Sequence, residues 1–250
     1  MTELKLVVIA DVHGNVAALD AALKDARSRK ADRILICGDL VLNGPRPAET
    51  LARVRELEAR DGAVVIQGNT DICVADGDFA AAFPWMDDVP VSQRAAADWA
   101  REQLSDEDLD YLRRLPAERR VHFGDELVLV CHASPGSQTA GLGTDLDPSV
   151  TVERVTRTDA RVICCGHTHV ADVRELGRKL ILNPGSCGYA FDGEPTANWA
   201  LLTMDTDADP SAQLFRTSYD AKTASEEVGE RGLPGDVYRA ATIRTGRFIR

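Results

Sequence analysis

The sequence predicts a mixed α/β sandwich with helices on the outside. Five short apolar runs of strand length recur without polar alternation, which is typical of buried sheet strands; they span residues 6–10, 34–37, 63–66, 127–131 and 162–165. Helical patterns separate the first three runs, and Pro47 suits the first turn of the second helix. A strand-helix-strand order indicates right-handed parallel crossovers. Strand patterns dominate again after residue 120, so we expect a mixed sheet arrangement rather than a purely parallel one.

The domain organisation follows from where this rhythm breaks. Residues 1–250 are predicted to form a single domain, because no long linker or internal repeat interrupts them. The segment 71–120 is rich in acidic residues and has helix-cap signals, such as Ser105 followed by Asp108, so we expect a helical insertion there. From about residue 231 we expect a loose C-terminal tail.

Composition excludes several classes of protein. The chain has 250 residues, 44% of them hydrophobic and 28% charged, and its net charge of −11 argues against a nucleic-acid surface. No apolar run approaches the length of a membrane helix, and the first residues lack a signal-peptide layout, so we expect a cytoplasmic protein without a membrane partner. The six cysteines form no CxxC pair and fit a reducing compartment.

Each of the five apolar runs is followed by side chains that can bind metal. Because ligands gather beyond the carboxyl ends of strands in open α/β sheets, we expect these side chains to converge. The candidate ligands are two carboxylates, one amide and four imidazoles: Asp11, His13, Asp39, Asn69, His132, His167 and His169. This mixed set suits transition metals better than calcium or magnesium. We favour manganese, with iron, nickel, cobalt and zinc as alternatives.

Seven ligands are too many for one ion. They divide into two sites of four ligands if one carboxylate bridges, which predicts two divalent ions with positions open for water and substrate. The charge of two dications exceeds that of Asp11 and Asp39, so the site attracts phosphate. Paired metals also deprotonate water near neutral pH and clamp both oxygens of an in-line displacement. An acidic protein can therefore hydrolyse an anionic ester.

The motifs, taken in order, resemble those of the calcineurin-like metallophosphoesterase superfamily, and within it the prokaryotic phosphodiesterase branch typified by YfcE. They are Asp-Val-His-Gly-Asn at 11–15, Gly-Asp at 38–39, Gly-Asn-Thr-Asp at 68–71, His132, Gly-His-Thr-His at 166–169 and Asn-Pro-Gly-Ser at 183–186. The resemblance covers roughly residues 5–220. It implies a four-layer α/β/β/α sandwich of two mixed sheets. It also implies one ion on Asp11, His13, Asp39 and His169, and a second on Asp39, Asn69, His132 and His167.

Two departures from the family pattern affect the chemistry. Thr70 occupies the position where many relatives have a histidine that protonates the leaving group, so the general acid is unassigned. The segment 38–44 lacks the Asp-Arg of the protein phosphatases and diadenosine tetraphosphatases, which disfavours those substrates. Asp71 is interpreted either as a residue that orients a ligand or as a helix cap. Asn43 and Arg46 follow Asp39 closely and are the candidate substrate-binding residues. Arg46 either reaches a substrate phosphate or simply begins a helix, and we favour the second interpretation.

These observations predict a phosphoric ester hydrolase acting on small phosphodiesters or phosphomonoesters, with a metal-bound hydroxide attacking in line. Two alternatives remain open at this point. A binding scaffold on the same fold, as in the retromer subunit, has lost ligands, whereas all seven positions are filled here. A nuclease would be revealed by binding to DNA or RNA that depends steeply on salt. Diesterase or monoesterase preference, natural substrate and oligomeric state are also open.

Overall fold

The computed structural model describes residues 3–249 and contains ten strands and nine helices over that range. The strands are β1 (Glu3–Ile9), β2 (Arg33–Ile36), β3 (Val64–Val65), β4 (Glu118–Phe123), β5 (Glu126–Cys131), β6 (Val162–Cys164), β7 (Asp172–Leu176), β8 (Lys179–Asn183), β9 (Thr196–Asp205) and β10 (Ser211–Ser218). The helices are α1 (Val16–Arg27), α2 (Pro47–Asp61), α3 (Asn69–Asp76), α4 (Phe79–Ala82), α5 (Val91–Glu102), α6 (Asp106–Arg114), α7 (Pro148–Val155), α8 (Ala221–Glu230) and α9 (Asp236–Thr245).

The strands form two five-stranded mixed sheets. The first sheet has the order β10-β9-β1-β2-β3. In it β1, β2 and β3 are parallel, and β9 runs antiparallel to both of its neighbours, β1 and β10. The second has the order β4-β5-β6-β8-β7, with β5, β6 and β8 parallel and both edge strands antiparallel. All five predicted apolar runs are strands of these sheets.

Alternation along β1 explains how the sheets are stacked. Leu6 and Val8 belong to the apolar cluster between the two sheets, where they meet Val128 and Leu182 of the second sheet. Val7 and Ile9 point the other way, into a cluster shared with α1, α2 and the helices after β3. A third cluster joins the second sheet to α7. The layers are therefore helix, sheet, sheet and helix, which confirms the predicted four-layer sandwich.

The helices begin and end where local chemistry requires it. The Asn15 side chain accepts a hydrogen bond from the Ala18 N–H at the start of α1, and Pro47 opens α2. Between β3 and β4 the chain forms helices α3 to α6, the last of which begins with the Ser105 and Asp108 capping box. Among residues 3–249, no helix combines the length and apolar composition that a bilayer crossing requires.

The expectation of a loose C-terminal tail from about residue 231 is wrong. Residues 236–245 form α9, which packs against α8 and buries Arg239, Thr242 and Ile243. The helix lies between two glycines in the left-handed conformation, Gly235 and Gly246. The buried positions follow helical spacing, but two of the three are polar, so the segment lacks the apolar stripe by which such helices are recognised.

Candidate metal centre

The seven predicted ligands come together where five strands end. Asp11 and His13 follow β1, Asp39 follows β2, and Asn69 begins α3 just after β3. The other three follow β5 and β6 of the second sheet. Six of the seven are at most 5% exposed, and His167 is partly buried. The site therefore lies between the two sheets, at the carboxyl ends of their parallel strands.

The first group consists of Asp11, His13, Asp39 and His169, whose ligand atoms all lie within 4.8 Å of one another. The Nε2 atoms of His13 and His169 are 3.2 Å apart. His13 Nε2 is 3.5 Å from Asp39 Oδ2, and His169 Nε2 is 3.6 Å from Asp11 Oδ1. These four residues can hold a metal ion.

The second group consists of Asn69, His132 and His167, together with the other oxygen of Asp39. Asn69 Oδ1 lies 2.9 Å from His132 Nε2 and 3.0 Å from His167 Nδ1. His132 Nε2 is 3.4 Å from Asp39 Oδ1. The Asn69 amide nitrogen donates to the Ala82 carbonyl, which leaves its oxygen facing the histidines. Asp39 thus presents one oxygen to each group.

Backbone carbonyls orient three of the imidazoles. The Nδ1 of His13 lies 2.7 Å from the Leu42 carbonyl, and that of His132 lies 2.7 Å from the Cys37 carbonyl. The Nδ1 of His169 faces the Tyr189 carbonyl. A ring whose Nδ1–H donates to a carbonyl keeps a lone pair on Nε2, and in all three residues Nε2 points into the cluster. His167 faces the cluster with Nδ1 instead.

The backbone at the ligands adopts conformations that few residues tolerate. Asp11, His13, Asp39, His167 and His169 all have φ between 50° and 69°. Asp and His enter this left-handed region more readily than most residues, but each such position still costs about 1–3 kcal/mol. Strain of this kind persists where the surrounding structure imposes it and is concentrated at functional sites.

Two glycines allow the carboxylates to sit close to the neighbouring loops. A Cβ atom on Gly68 would lie 2.1 Å from Asp39 Oδ1, and one on Gly166 would lie 2.6 Å from Asp11 Oδ2. Any larger residue would displace the carboxylates. The glycines of the Gly-Asn and Gly-His motifs are therefore required by close approach.

The hydrogen bonding and charge of the cluster are suited to a bound metal ion. Asp11 Oδ1 is buried and has no hydrogen-bond partner, while its Oδ2 accepts from the His167 backbone N–H at 2.9 Å. Burial raises the pKa of the Asp11 carboxyl well above its ordinary value, and the nearby Asp39 carboxylate adds to the effect. A buried acceptor without a partner is costly. A divalent cation bound here would supply the missing contact and the missing positive charge.

Asp39 behaves differently from Asp11 because it has more partners. Burial raises the pKa of Asp39, but His132, His13 and the Thr70 N–H outweigh burial and lower it. Burial also opposes protonation of His132, and the Asp39 carboxylate overcomes this to raise the pKa of His132 to about 9. Burial and the charge of His132 lower the pKa of His167 to about 4. The protonation states of Asp39, His132 and His167 therefore depend on one another, and Asp39 carries the negative charge.

Asp71 and Thr70 lie beside the ligands. The Asp71 carboxylate accepts three backbone N–H groups, from Asp39 at 3.0 Å, Leu40 at 2.8 Å and Gly68 at 2.9 Å. The Gly68 contact belongs to a capping arrangement at the start of α3. Thr70 donates its backbone N–H to Asp39 Oδ1 at 2.9 Å, and its hydroxyl is buried without a partner.

A cavity of about 690 Å³ opens beside both groups of ligands. Its lining includes His13, Asp39, Asn69, Thr70, His167 and His169, and its other walls carry the aromatic rings of Phe83, Trp85, Tyr189, Phe191, Tyr238 and Phe248. This volume lies within the range of small-molecule sites, about 300–1,000 Å³. The cavity can therefore admit a small organic molecule to the cluster.

The two predicted substrate residues have different positions. Asn43 lines the cavity, and its Oδ1 accepts a hydrogen bond from Arg239 Nε at 3.1 Å. Arg46 is not part of the lining; its Nε and a terminal nitrogen each lie 2.7 Å from Glu227, and Glu49 is a further partner. These carboxylates hold Arg46 at the start of α2.

Sequence reasoning missed the far side of the cavity. Trp85, Tyr189, Tyr238 and Arg239 reach it from a loop or from α9, and none carries a motif. The Asn-Pro-Gly-Ser segment, which sequence analysis did identify, contacts the ligand loops instead. Asn183 donates to the Gly166 carbonyl at 2.8 Å, and Ser186 donates to the Asp11 carbonyl at 2.7 Å. That segment supports the ligand loops from behind.

Comparison with known proteins agrees with this geometry. Residues 4–207 match the family model described as calcineurin-like phosphoesterase superfamily domain. The uncharacterized protein MJ0912 of Methanocaldococcus jannaschii is 25% identical over 249 residues, covering 94% of this chain and 96% of its own. A symmetrical bis(5'-nucleosyl)-tetraphosphatase of Paracidovorax citrulli is 31% identical over 131 residues, covering 52% of this chain and 44% of its own.

Two solved structures are similar over nearly the whole chain. A metallophosphoesterase from Sphaerobacter thermophilus has a TM-score of 0.73 and 26% identity, covering 97% of this chain and 99% of its own. The hypothetical protein PH1004 from Pyrococcus horikoshii OT3 has a TM-score of 0.82 and 21% identity, covering 97% and 98%, and shares the fold. Since the family model spans most of the sequence, this chain belongs to the calcineurin-like phosphoesterase superfamily.

Proposed function

We propose that the protein is a dinuclear metal-dependent hydrolase of small phosphodiesters or phosphomonoesters. The observation that carries the proposal is the sharing of Asp39, whose two oxygens face two separate groups of metal-binding side chains at 3.4–3.5 Å. Membership of a phosphoesterase superfamily makes the chain a phosphoric ester hydrolase. The number of ions and the class of substrate are the parts we propose.

Each ion would be held by one of the two groups. Asp11, His13, Asp39 and His169 would hold one, and Asp39, Asn69, His132 and His167 would hold the other. When bound, two such ions activate water and neutralise phosphoryl charge. We infer manganese from the mixed nitrogen and oxygen donors, which suit borderline transition metals.

The chain's own residues prepare the site for an ester. Carbonyls of Leu42, Cys37 and Tyr189 hold the imidazoles in place before a ligand arrives. The aromatic wall of the cavity gives the organic part of the ester an apolar surface and excludes water from it. Thr70 lines the cavity, but its buried hydroxyl is too weak an acid to protonate a leaving group, so esters with good leaving groups should react fastest.

The tetraphosphatase relative supports a small phosphorylated substrate, because its name describes hydrolysis of a nucleoside phosphate compound. The match spans about half of this chain, and residues 38–44 lack the Asp-Arg expected for that activity. We therefore propose small phosphate esters as a class. A cytoplasmic location is also proposed: all six cysteines are buried free thiols, which suits a reducing compartment.

The test is a metal add-back assay on stripped protein. Manganese, nickel, cobalt, zinc or magnesium is returned singly, metal per chain is counted, and turnover is measured on bis-p-nitrophenyl phosphate and p-nitrophenyl phosphate. We expect about two ions per chain and hydrolysis restored by manganese. The preferred compound separates diesterase from monoesterase activity.

The histidines offer a matched control for this assay. His132→Ala should lose metal and turnover, whereas His122→Ala should retain both, because His122 is exposed on β4 outside the cluster. Full metal occupancy without turnover of either ester would indicate a narrower substrate requirement, whereas a failure to take up metal would favour a binding scaffold. One ion per chain with normal turnover would contradict the dinuclear proposal.

A further inference from the structure

The wall of the cavity opposite the ligands comes from the end of the chain. Helix α9 contributes Tyr238 and Arg239, and the residues after it contribute Phe248 and Ile249. The family model ends at residue 207, so these residues lie outside the matched part. This segment therefore shapes the cavity without belonging to the metal-binding motifs.

Arg239 stands out on this wall because its charge is buried. Its side chain is 1% exposed, yet it lines the cavity. The guanidinium donates to Asn43 Oδ1 at 3.1 Å, to the Pro234 carbonyl at 2.6 Å and to Gln93 Oε1 at 2.8 Å. Its Cζ atom also lies 5.0 Å from the centroid of the Tyr238 ring. Every one of these partners is uncharged.

The absence of a carboxylate partner is what distinguishes Arg239 from a structural arginine. Among residues 3–249, the ion pairs of arginines include Arg46 with Glu227 and Arg244 with Glu226, but none involves Arg239. A buried charge without a counter-ion destabilises the fold. The neutral partners fix the plane of the guanidinium, and none of them neutralises it.

A guanidinium fixed in this way suits an oxyanion that enters the cavity. Its planar fork matches the geometry of phosphate oxygens, and a charge-assisted contact is about twice as strong as a neutral one. Arg239 and the metal ligands line one cavity, so an ester bound there can meet both. Asn43 connects the two sides, since it follows Asp39 by four residues and accepts from Arg239.

We propose that Arg239 binds a phosphoryl oxygen of the substrate and so holds the ester at a second point, opposite the metal ligands. This inference rests on the proposed function. The phosphoryl group is either the one that is hydrolysed or a second one in the same molecule. In both cases α9 supplies a substrate-binding residue that the family motifs do not contain.

The experiment measures binding of inorganic phosphate and pyrophosphate to the manganese-loaded protein by calorimetry, which does not depend on turnover. Arg239→Met should weaken the binding of pyrophosphate, or of both anions, by about 10- to 100-fold. Arg239→Lys should lie between this variant and the wild type, because it keeps the charge but loses the planar fork. Arg244→Met, on the exposed face of the same helix, is the control and should bind as the wild type does.

A second variant keeps the test valid if Arg239→Met does not fold. Gln93→Glu has nearly the same shape and places a carboxylate against the guanidinium, so it keeps the hydrogen bond while neutralising the charge. If Arg239 is only structural, this variant should bind anions normally. We expect at least a tenfold loss. Met86→Glu, which adds the same charge elsewhere in the lining, controls for general repulsion and should lose less.

The pattern across the two anions identifies the source of the phosphoryl group. Loss for both anions places Arg239 on the phosphoryl group that meets the metal ligands, and loss for pyrophosphate alone places it on a second one. If Gln93→Glu and folded Arg239→Met both bind the two anions with wild-type affinity, the inference is wrong. The proposed function would still stand in that case, because metal uptake and turnover test it separately. A wild-type protein that takes up no metal overturns the proposed function, and this inference with it.

Discussion

The carboxylate of Asp71 holds the backbone of Asp39, accepting its N–H at 3.0 Å. The same carboxylate accepts from Leu40 and from Gly68, so it ties the loop after β2 to the start of α3. Two of the proposed ligands, Asp39 and Asn69, are thus positioned by one side chain. The contacts show Asp71 at the start of α3 and on the backbone of Asp39, and we propose that it thereby orients a ligand as well as capping the helix.

Asp71→Asn should loosen this arrangement. The amide keeps the shape but turns one acceptor into a donor facing backbone N–H groups, so at least one of the three hydrogen bonds is lost. We expect a loss of about 1–3 kcal/mol in the free energy of unfolding and about 10- to 100-fold in metal affinity. Urea unfolding of stripped protein and metal titration measure these separately.

Asp76→Asn is the matched control, since Asp76 lies at the other end of α3 and forms a half-exposed ion pair with Arg113. It should cost no more than about 1 kcal/mol and leave metal affinity unchanged. Equal metal affinity in Asp71→Asn and the wild type would show that the contact with the Asp39 backbone does not control the site.

The sequence was sufficient to predict which candidate ligands converge, because that side of the site is built from strand ends. Asp11, Asp39 and His132 each follow a buried apolar run, and parallel strands bring their carboxyl ends to one edge. Periodicity identifies such runs, and motif spacing identifies the ligands that come directly after them. The same patterns predicted a mixed α/β sandwich with helices on the outside, and the four-layer order was implied by the family resemblance.

The opposite wall could not be predicted in this way. Arg239 reaches the cavity because α9 packs on α8, and this contact depends on a tertiary arrangement in which the buried face of α9 is largely polar. An arginine among several in a charged segment has no local signal that marks it as buried. Trp85 likewise lies in a turn between helices, where sequence spacing gives no direction to the side chain.

Metal removal should destabilise the wild-type protein. Asp11 carries a buried oxygen without a partner, and a bound cation would satisfy it only in the folded state. At a free metal concentration 100 times the dissociation constant, binding adds about 2.7 kcal/mol to the free energy of unfolding for each site. Urea unfolding with manganese and with a chelator measures the difference.

Asp39→Asn should lose most of that difference, because both groups share this carboxylate, whereas His122→Ala should retain it. If manganese stabilised Asp39→Asn as strongly as the wild type, the cation would be bound elsewhere on this acidic chain.

Gly68→Ala should damage the site through steric contact alone. Gly68 has a φ of −92°, which alanine adopts freely, but its Cβ would lie 2.1 Å from Asp39 Oδ1 and 2.3 Å from Asp39 N. We expect a cost of about 1–3 kcal/mol in stability, together with weaker metal binding. Gly229→Ala in α8 is the control; its Cβ meets nothing closer than 3.8 Å, and alanine in a helix should stabilise by up to about 1 kcal/mol. Normal metal binding by Gly68→Ala would mean that Asp39 can move without consequence.

Thr70→Val tests whether the hydroxyl in the usual acid position takes part in the reaction. The hydroxyl is buried without a partner, and the backbone N–H that donates to Asp39 remains in the variant, so the fold and the ligands should be unaffected. A nitrophenolate leaves without needing a proton, whereas an unsubstituted phenolate leaves poorly unless it is protonated. We expect kcat/KM for p-nitrophenyl phosphate and for phenyl phosphate to change by less than about threefold, with their ratio constant. A loss confined to phenyl phosphate would instead assign Thr70 a role in delivering the proton to the leaving group, and the metal content of the same preparations would exclude a change at the ligands as its cause.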